Sequence, residues 1–318
     1  MRYAFQKLVR LVLVFVIVTF MVLVGLRIGL KDPAQDMLGG FASPELIKET
    51  TAKFHLNDNY VSQYVFWAKG AVTGDFGPST YNRPVAEQLK TSVLSTVLLG
   101  LYAIVFAFLV ALPIAIFSAY RRNGIFDRVA GFFTFAFISL PSLVLGVLLT
   151  LTIGSSGLNW FPRLSDKIWP WDDLSGHFHA FFLPTLALAI PLCGIFIRLL
   201  RADLTLTLQN DFITLARAKG VSPRRILLRH ALRSSLFSVI TSVSLQIGNI
   251  IGGAVAIEVL FQLKGMGFLL ADAVFKHDFL VVQACAALLV LGVVFTNFVV
   301  DMIYAVIDPR IRQMRALA

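Results

Sequence analysis

Six stretches of the chain carry no Asp, Glu, Lys or Arg: 11–26, 91–120, 129–162, about 180–197, 234–257 and 279–300. A helix needs roughly 20 apolar residues to cross a bilayer. The second and third runs have room for a span and for connecting chain. Leu8 and Val9 extend the first, and Arg27 can snorkel to the interface. Composition points the same way. The chain is 57% hydrophobic and 14% charged, with a mean hydropathy of +0.79, whereas soluble domains carry about 25% charge. So few charges cannot cover a water-facing surface of 318 residues, and the same numbers exclude disorder. The expected fold is all-α: a polytopic membrane protein with six transmembrane helices and both termini on one side.

The net charge of +10 acquires meaning when it is divided by loop. With the termini inside, the inner segments hold 17 of the 28 Lys and Arg and five of the 18 Asp and Glu. The inner side is then +12 and the outer side −2. Basic residues favour the cytoplasmic face, so the termini are expected in the cytoplasm and the charge is topogenic, with no nucleic-acid partner implied. Arg2, Lys7 and Arg10 resemble the basic start of a leader, but no small-residue cleavage site follows the long apolar run. We read that run as a retained helix. Cys193 and Cys285 sit in apolar runs and suggest no disulfide framework.

These runs divide the chain into 1–30 (tail and first span), 31–90 (an extracytoplasmic insertion) and 91–318 (a core with five spans). In the insertion, Ser43, Pro44 and Glu45 read as N-cap, N1 proline and first-turn acid, opening a helix to about Phe54. A second outer loop, 154–178, is rich in Trp (Trp160, Trp169, Trp171), as suits a membrane interface. Pro113 and Pro141 are expected to kink their spans.

Segment 204–233 is too charged for hydrocarbon and too long for a turn. Gly220 is placed as a helix C′ residue, Ser222 as the next N-cap and Pro223 at N1. Two short helices with a sharp bend are predicted. Arg225, Arg229 and Arg233 recur at four-residue spacing, and Ile226, Leu227 and Leu228 lie beside them as an apolar ridge. Spacing alone leaves two readings open: a docking elbow for a cytoplasmic partner, or a solvated helix obeying the charge rule.

The segment Ala216, Arg217, Ala218, Lys219, Gly220, followed by Arg229, His230, Ala231, Leu232, resembles the coupling-loop signature of ABC importer permeases of the dipeptide/oligopeptide B-type branch. The resemblance runs over nearly the whole chain. Gly74, Asp75, Phe76 and Gly77 with Ser79, Arg83, Pro84 and Val85 are similar to the outer-loop motif. Ser139, Leu140, Pro141 and Ser142 resemble the third-helix motif, and Leu183 to Leu188 the start of the fourth helix. Glu258 to Phe261 with Gly265, Met266 and Gly267 resemble the segment after the fifth helix, and Asp301 to Arg312 the C-terminus. The chain departs from the pattern at Thr214 and Leu215, where Glu and Ala are usual, and at Arg233, Lys264 and Leu280, where Pro is common.

The resemblance implies the transmembrane domain of a type I ABC importer. A second permease completes the pore, one or two ATP-binding subunits dock beneath, and an extracytoplasmic binding protein delivers a peptide. Ala216, Arg217, Ala218, Lys219, Gly220, Ser222, Pro223, Arg224 and Arg225 are then the ATPase contact. The chain has no G-x-x-x-x-G-K-[ST] motif to cradle phosphates. ATP and Mg would therefore belong to the partner subunits, and no catalytic, cofactor or metal residue is assigned. The His residues show no metal-ligand spacing. A gradient-coupled secondary transporter is the alternative class, but ionisable groups deep in the spans are few. A membrane-embedded enzyme would need clustered nucleophiles or ligands. Nickel, glutathione or haem are alternative cargoes. Gly248, Asn249, Gly252, Gly253 and Glu258 mark a candidate substrate path, although small residues at this spacing also mark close helix packing and Glu258 also suits a loop cap.

Overall fold

The computed structural model describes residues 2–29, 33–38, 42–77, 84–153 and 169–307. Ser79, Arg83, Trp160 and the C-terminal segment from Asp308 lie outside the described residues. Every described element is helical apart from an isolated bridge residue, Pro84. The helices are α1 (Arg2–Gly29), α2 (Pro33–Leu38), α3 (Pro44–Lys53), α4 (Tyr60–Thr73), α5 (Val85–Tyr120), α6 (Ile125–Ser139), α7 (Ser142–Thr152), α8 (Leu174–Thr207), α9 (Asp211–Ala218), α10 (Pro223–Arg225), a π-helical segment (Ile226–Ala231), α11 (Leu232–Leu260), α12 (Met266–Phe275) and α13 (Phe279–Ile307).

Four of these are long and apolar enough to cross a membrane: Phe5–Gly29, Val85–Tyr120, Leu174–Thr207 and Phe279–Val299. The bent pair α6 and α7 makes up to five if it counts as one span. The chain is thus an all-α, largely membrane-spanning protein. The third charge-free run is not one straight rod. It breaks at Leu140 and Pro141, and the two halves meet at 104°. Proline cannot supply the N–H that a continuous helix needs. Leu140 is extended at ψ 119, as the residue before a proline prefers. Pro113, by contrast, sits inside an unbroken 36-residue α5.

The chain forms two compact units. One comprises 1–96 and 264–318, the other 97–263. In the first, α1 packs along α13 and α12 folds back on α13. Leu23, Val85, Leu89, Phe279, Ala284 and Cys285 belong to its core. Thr19 ties three elements together: its hydroxyl pairs with the Tyr64 hydroxyl at 2.7 Å, and its carbonyl accepts from Gln283 Nε2 at 3.2 Å. Helix α3 starts as its cap chemistry predicts, with Leu46 N–H donating to Ser43 Oγ at 3.3 Å. Gly77 has φ +80, and a Cβ there would lie 2.9 Å from Leu280 Cδ1, so both backbone and space require glycine.

In the second unit α8 is central and packs against α6, α7 and α11. Helix α5 buries Leu99, Ala103, Ala107, Ala111, Ala115 and Ala119 at every fourth position. Lipid tails are as apolar as leucine, so helices in a membrane associate through close packing, and small residues permit it. Tyr102 and Phe108 of α5 meet Phe181 and Phe196 of α8 edge-on. Helix α8 starts at Leu174, directly after Asp173 and ahead of the start near Ala180 expected for this span, and therefore includes His177 and His179. His177 is buried, with Nε2 3.0 Å from the Tyr102 hydroxyl and its ring stacked on Phe181.

Candidate functional site

The elbow between α8 and α11 is built by local chemistry. Asn210 precedes α9, which carries Asp211 in its first turn and Arg217 in its last, in accord with the helix dipole. Ile213 points inward and is fully buried, while Phe212 and Leu215 are 48% and 56% exposed. The helix ends in a Schellman motif. Gly220 N–H donates to Arg217 O at 2.9 Å, and Val221 N–H to Ala216 O at 3.1 Å. Gly220 has φ +76, the left-handed geometry this motif demands. A Cβ at Gly220 meets nothing within 4 Å, so its requirement is conformational and not steric.

Ser222 and Pro223 then restart the helix. The first intrahelical bond, Ile226 N–H to Ser222 O, is 3.0 Å, and the Ser222 side chain makes no cap bond. The second of the two predicted short helices does not stop. The π segment, in which Leu232 N–H reaches back to Leu227 O, carries it directly into α11. Arg233 stands where the related pattern has proline, and it leaves the backbone ladder free to continue. Residues 223–260 are therefore one helical rod. Ile226 and Leu227 are buried, at 2% and 8% exposure, so the expected apolar ridge is reduced to Leu228. The exposed apolar surface of the elbow comes instead from Phe212 and Leu215. The signal for it was present, since the two flank inward-facing Ile213 at helical spacing.

Arg217, Ala218, Lys219, Gly220, Ser222, Pro223, Arg224 and Arg225 are all exposed, and Ala216 is half-buried. Arg229 and Arg233 are exposed as well. The nine elbow residues thus lie on one short segment whose bend is locked by backbone bonds. At its base, Arg201 of α8 makes two bonds to Asp127 at the start of α6, and Asn123 N–H donates to the same carboxylate at 2.9 Å. This clamp was not identified from the sequence, because its members are 74 residues apart.

The five path residues on α11 separate. Gly248 and Gly252 are exposed and have open space where a Cβ would go. Asn249 is exposed, and its Nδ2 donates to Gln246 Oε1 at 2.6 Å. Gly253 belongs to a packing contact, with a Cβ there 3.2 Å from Leu188 Cδ2 and 3.4 Å from Ser142 Oγ. Glu258 is fully buried at the end of α11, where its carbonyl accepts from Leu263 N–H at 2.9 Å. Gly248, Asn249 and Gly252 share one uncovered face; Gly253 and Glu258 do not. No cluster of three or more metal-ligating side chains occurs among the described residues.

Comparison with known proteins agrees with this architecture. Residues 111–313 match the family described as "Binding-protein-dependent transport system inner membrane component". The Glutathione transport system permease protein GsiC of Escherichia coli (strain K12) is 31% identical over 313 residues, covering 98% of this chain and 99% of that protein. The protein of the same name from Salmonella typhi is 32% identical over the same shares. With its helical membrane-spanning fold and this extent of match, the chain is a non-catalytic ABC-transporter permease subunit and belongs to the binding-protein-dependent transport system inner membrane component family.

Proposed function

We propose that this permease forms one half of the pore of a short-peptide importer in the cell membrane, with glutathione, a tripeptide, as its first candidate cargo. The names of its relatives favour glutathione over a general dipeptide or oligopeptide cargo. A second permease completes the pore, ATP-binding subunits dock on the elbow, and an extracytoplasmic binding protein delivers the peptide. The observation that carries this reading is the elbow, an exposed, backbone-locked bend continuous with α11. Phe212, Leu215, Arg224 and Arg225 supply apolar and cationic contacts to the ATPase. Movement of the elbow then reaches Gly248, Asn249 and Gly252 through a single rod.

In this reading there are six spans, the bent pair α6 and α7 being one and α11 another. The 29 residues of α11 extend about 44 Å at 1.5 Å per residue, more than a bilayer core. Both termini and segment 204–233 are cytoplasmic, and segment 31–90 lies outside. Of the five path residues, only Gly248, Asn249 and Gly252 on the uncovered face of α11 are retained as pore lining; Gly253 packs the helices and Glu258 orients the following loop.

The test is reconstitution of this chain with the second permease, ATPases and binding protein encoded beside it. ATP-dependent uptake of labelled glutathione is expected to exceed that of a labelled dipeptide. Uptake of either by this chain alone under an ion gradient would refute the reading, and uptake of dipeptide but not glutathione would reassign the cargo. Cysteine labelling from each side of the membrane checks the topology.

A further inference from the structure

Where the end of α5, the end of α8 and the elbow converge, a cavity of about 520 Å3 opens, lined by Tyr120, Arg122, Gln209, Arg217, Val221 and Leu227 among others. Its volume falls within the roughly 300–1,000 Å3 of small-ligand sites. The two guanidinium groups come from different elements, Arg122 from the turn after α5 and Arg217 from α9. Neither forms an ion pair among the described residues. The carboxylate that senses Arg122, Asp127, is already engaged by Arg201 and by Asn123 N–H. Two like charges directed at one cavity repel unless an anion lies between them. Guanidinium groups match phosphate oxygens in paired hydrogen bonds.

The surroundings narrow the class of anion. Val221 and Leu227 give the cavity an apolar wall. On the adjoining helix ends Phe117, Tyr120 and Ile125 are 40%, 55% and 83% exposed, a surface suited to acyl chains and not to a hydrated ion. We propose that this cavity binds the phosphodiester headgroup of an anionic phospholipid, with Arg122 and Arg217 on the phosphate and the apolar rim against the first acyl carbons. The assignment rests on the reading above that this end of the molecule meets the cytoplasmic leaflet, where anionic lipids attract basic pockets between helices. Inorganic phosphate shares the headgroup's charge but cannot use the rim.

The full chain, purified in neutral detergent and reconstituted in phosphatidylcholine nanodiscs, is offered phosphatidylglycerol, and bound lipid is counted by native mass spectrometry. Wild type is expected to retain phosphatidylglycerol selectively. Arg122→Gln is expected to lower that occupancy about tenfold, as loss of a charge-assisted contact requires, with partial recovery in Arg122→Lys. Arg121→Gln, whose guanidinium lies over Phe117 outside the cavity lining, is expected to leave occupancy unchanged. Monodisperse elution of each variant separates lost binding from lost folding. Equal losses in both glutamine variants would assign the effect to diffuse surface charge and overturn the proposal. Displacement by inorganic phosphate would assign the site to a free anion. Unchanged occupancy in Arg122→Gln with weaker ATPase binding would assign it to a carboxylate of that partner. The lipid readout needs no ATPase, so the coupling role of the elbow stands or falls separately.

Discussion

Arg201 holds Asp127 with two of its nitrogens, Nε at 2.5 Å and Nη2 at 2.7 Å, and so joins α8 to the first turn of α6. Asp127 is 5% exposed, and the Arg201 side chain is 34% exposed. Removing the carboxylate leaves a guanidinium without its partner. We expect Asp127→Ala to cost about 2 kcal/mol, between the values for exposed pairs and those for fully buried ones. Thermal unfolding in detergent measures it, and a double cycle with Arg201→Ala isolates the pair. A stability equal to wild type would show that the clamp is dispensable.

Gly220→Val forces a β-branched residue into left-handed backbone, at a cost of about 1–2 kcal/mol. The strain falls on the bend and not on the spans. Insertion and protease resistance are expected to persist, while ATP-dependent uptake in the reconstituted transporter is lost. Wild-type uptake in this variant would separate the bend from coupling.

Phe212→Ser with Leu215→Ser removes the exposed apolar surface of α9 and leaves Ile213 in place. Folding should be unaffected, since both side chains are about half exposed. ATPase retention on the purified permease is expected to fall about tenfold or more, as loss of anchor residues at an interface does. Retention equal to wild type would mean that the ATPase docks elsewhere.

The glycines of α11 should separate by phenotype. Gly253→Leu pushes atoms into Leu188 and Ser142 and is expected to destabilise by about 1–3 kcal/mol. Gly248→Leu meets open space, so its expected effect is on transport rate with an unchanged melting temperature. The pair of measurements fails if Gly248→Leu melts early and Gly253→Leu does not.

What could be read in advance follows the range of the forces involved. The Ser43 cap and the Gly220 turn are set by residues within five positions of each other, and both were legible. Charge-free runs located the four long apolar helices and the bent pair because desolvation acts on composition. They do not encode direction, however, so the 104° break at Pro141 and the unbroken passage through Pro113 were indistinguishable until the neighbours were known. His177 illustrates the same limit. It reads as a loop residue until Tyr102, 75 positions away, satisfies it inside a helix pair.

The π segment ahead of α11 has an arithmetic consequence. Each residue of an α-helix advances the chain by about 1.5 Å and turns it by about 100°. A π turn stores one residue beyond the α count within a single rod. Were residues 226–231 to tighten into α geometry by expelling that residue toward the elbow, α11 would rotate by about 100° relative to the bend, enough to turn Asn249 from one side of the helix to another. Under the proposed coupling, the hydrogen-bond register of this helix would turn a shift of the elbow into a rotation of the face that carries Gly248, Asn249 and Gly252.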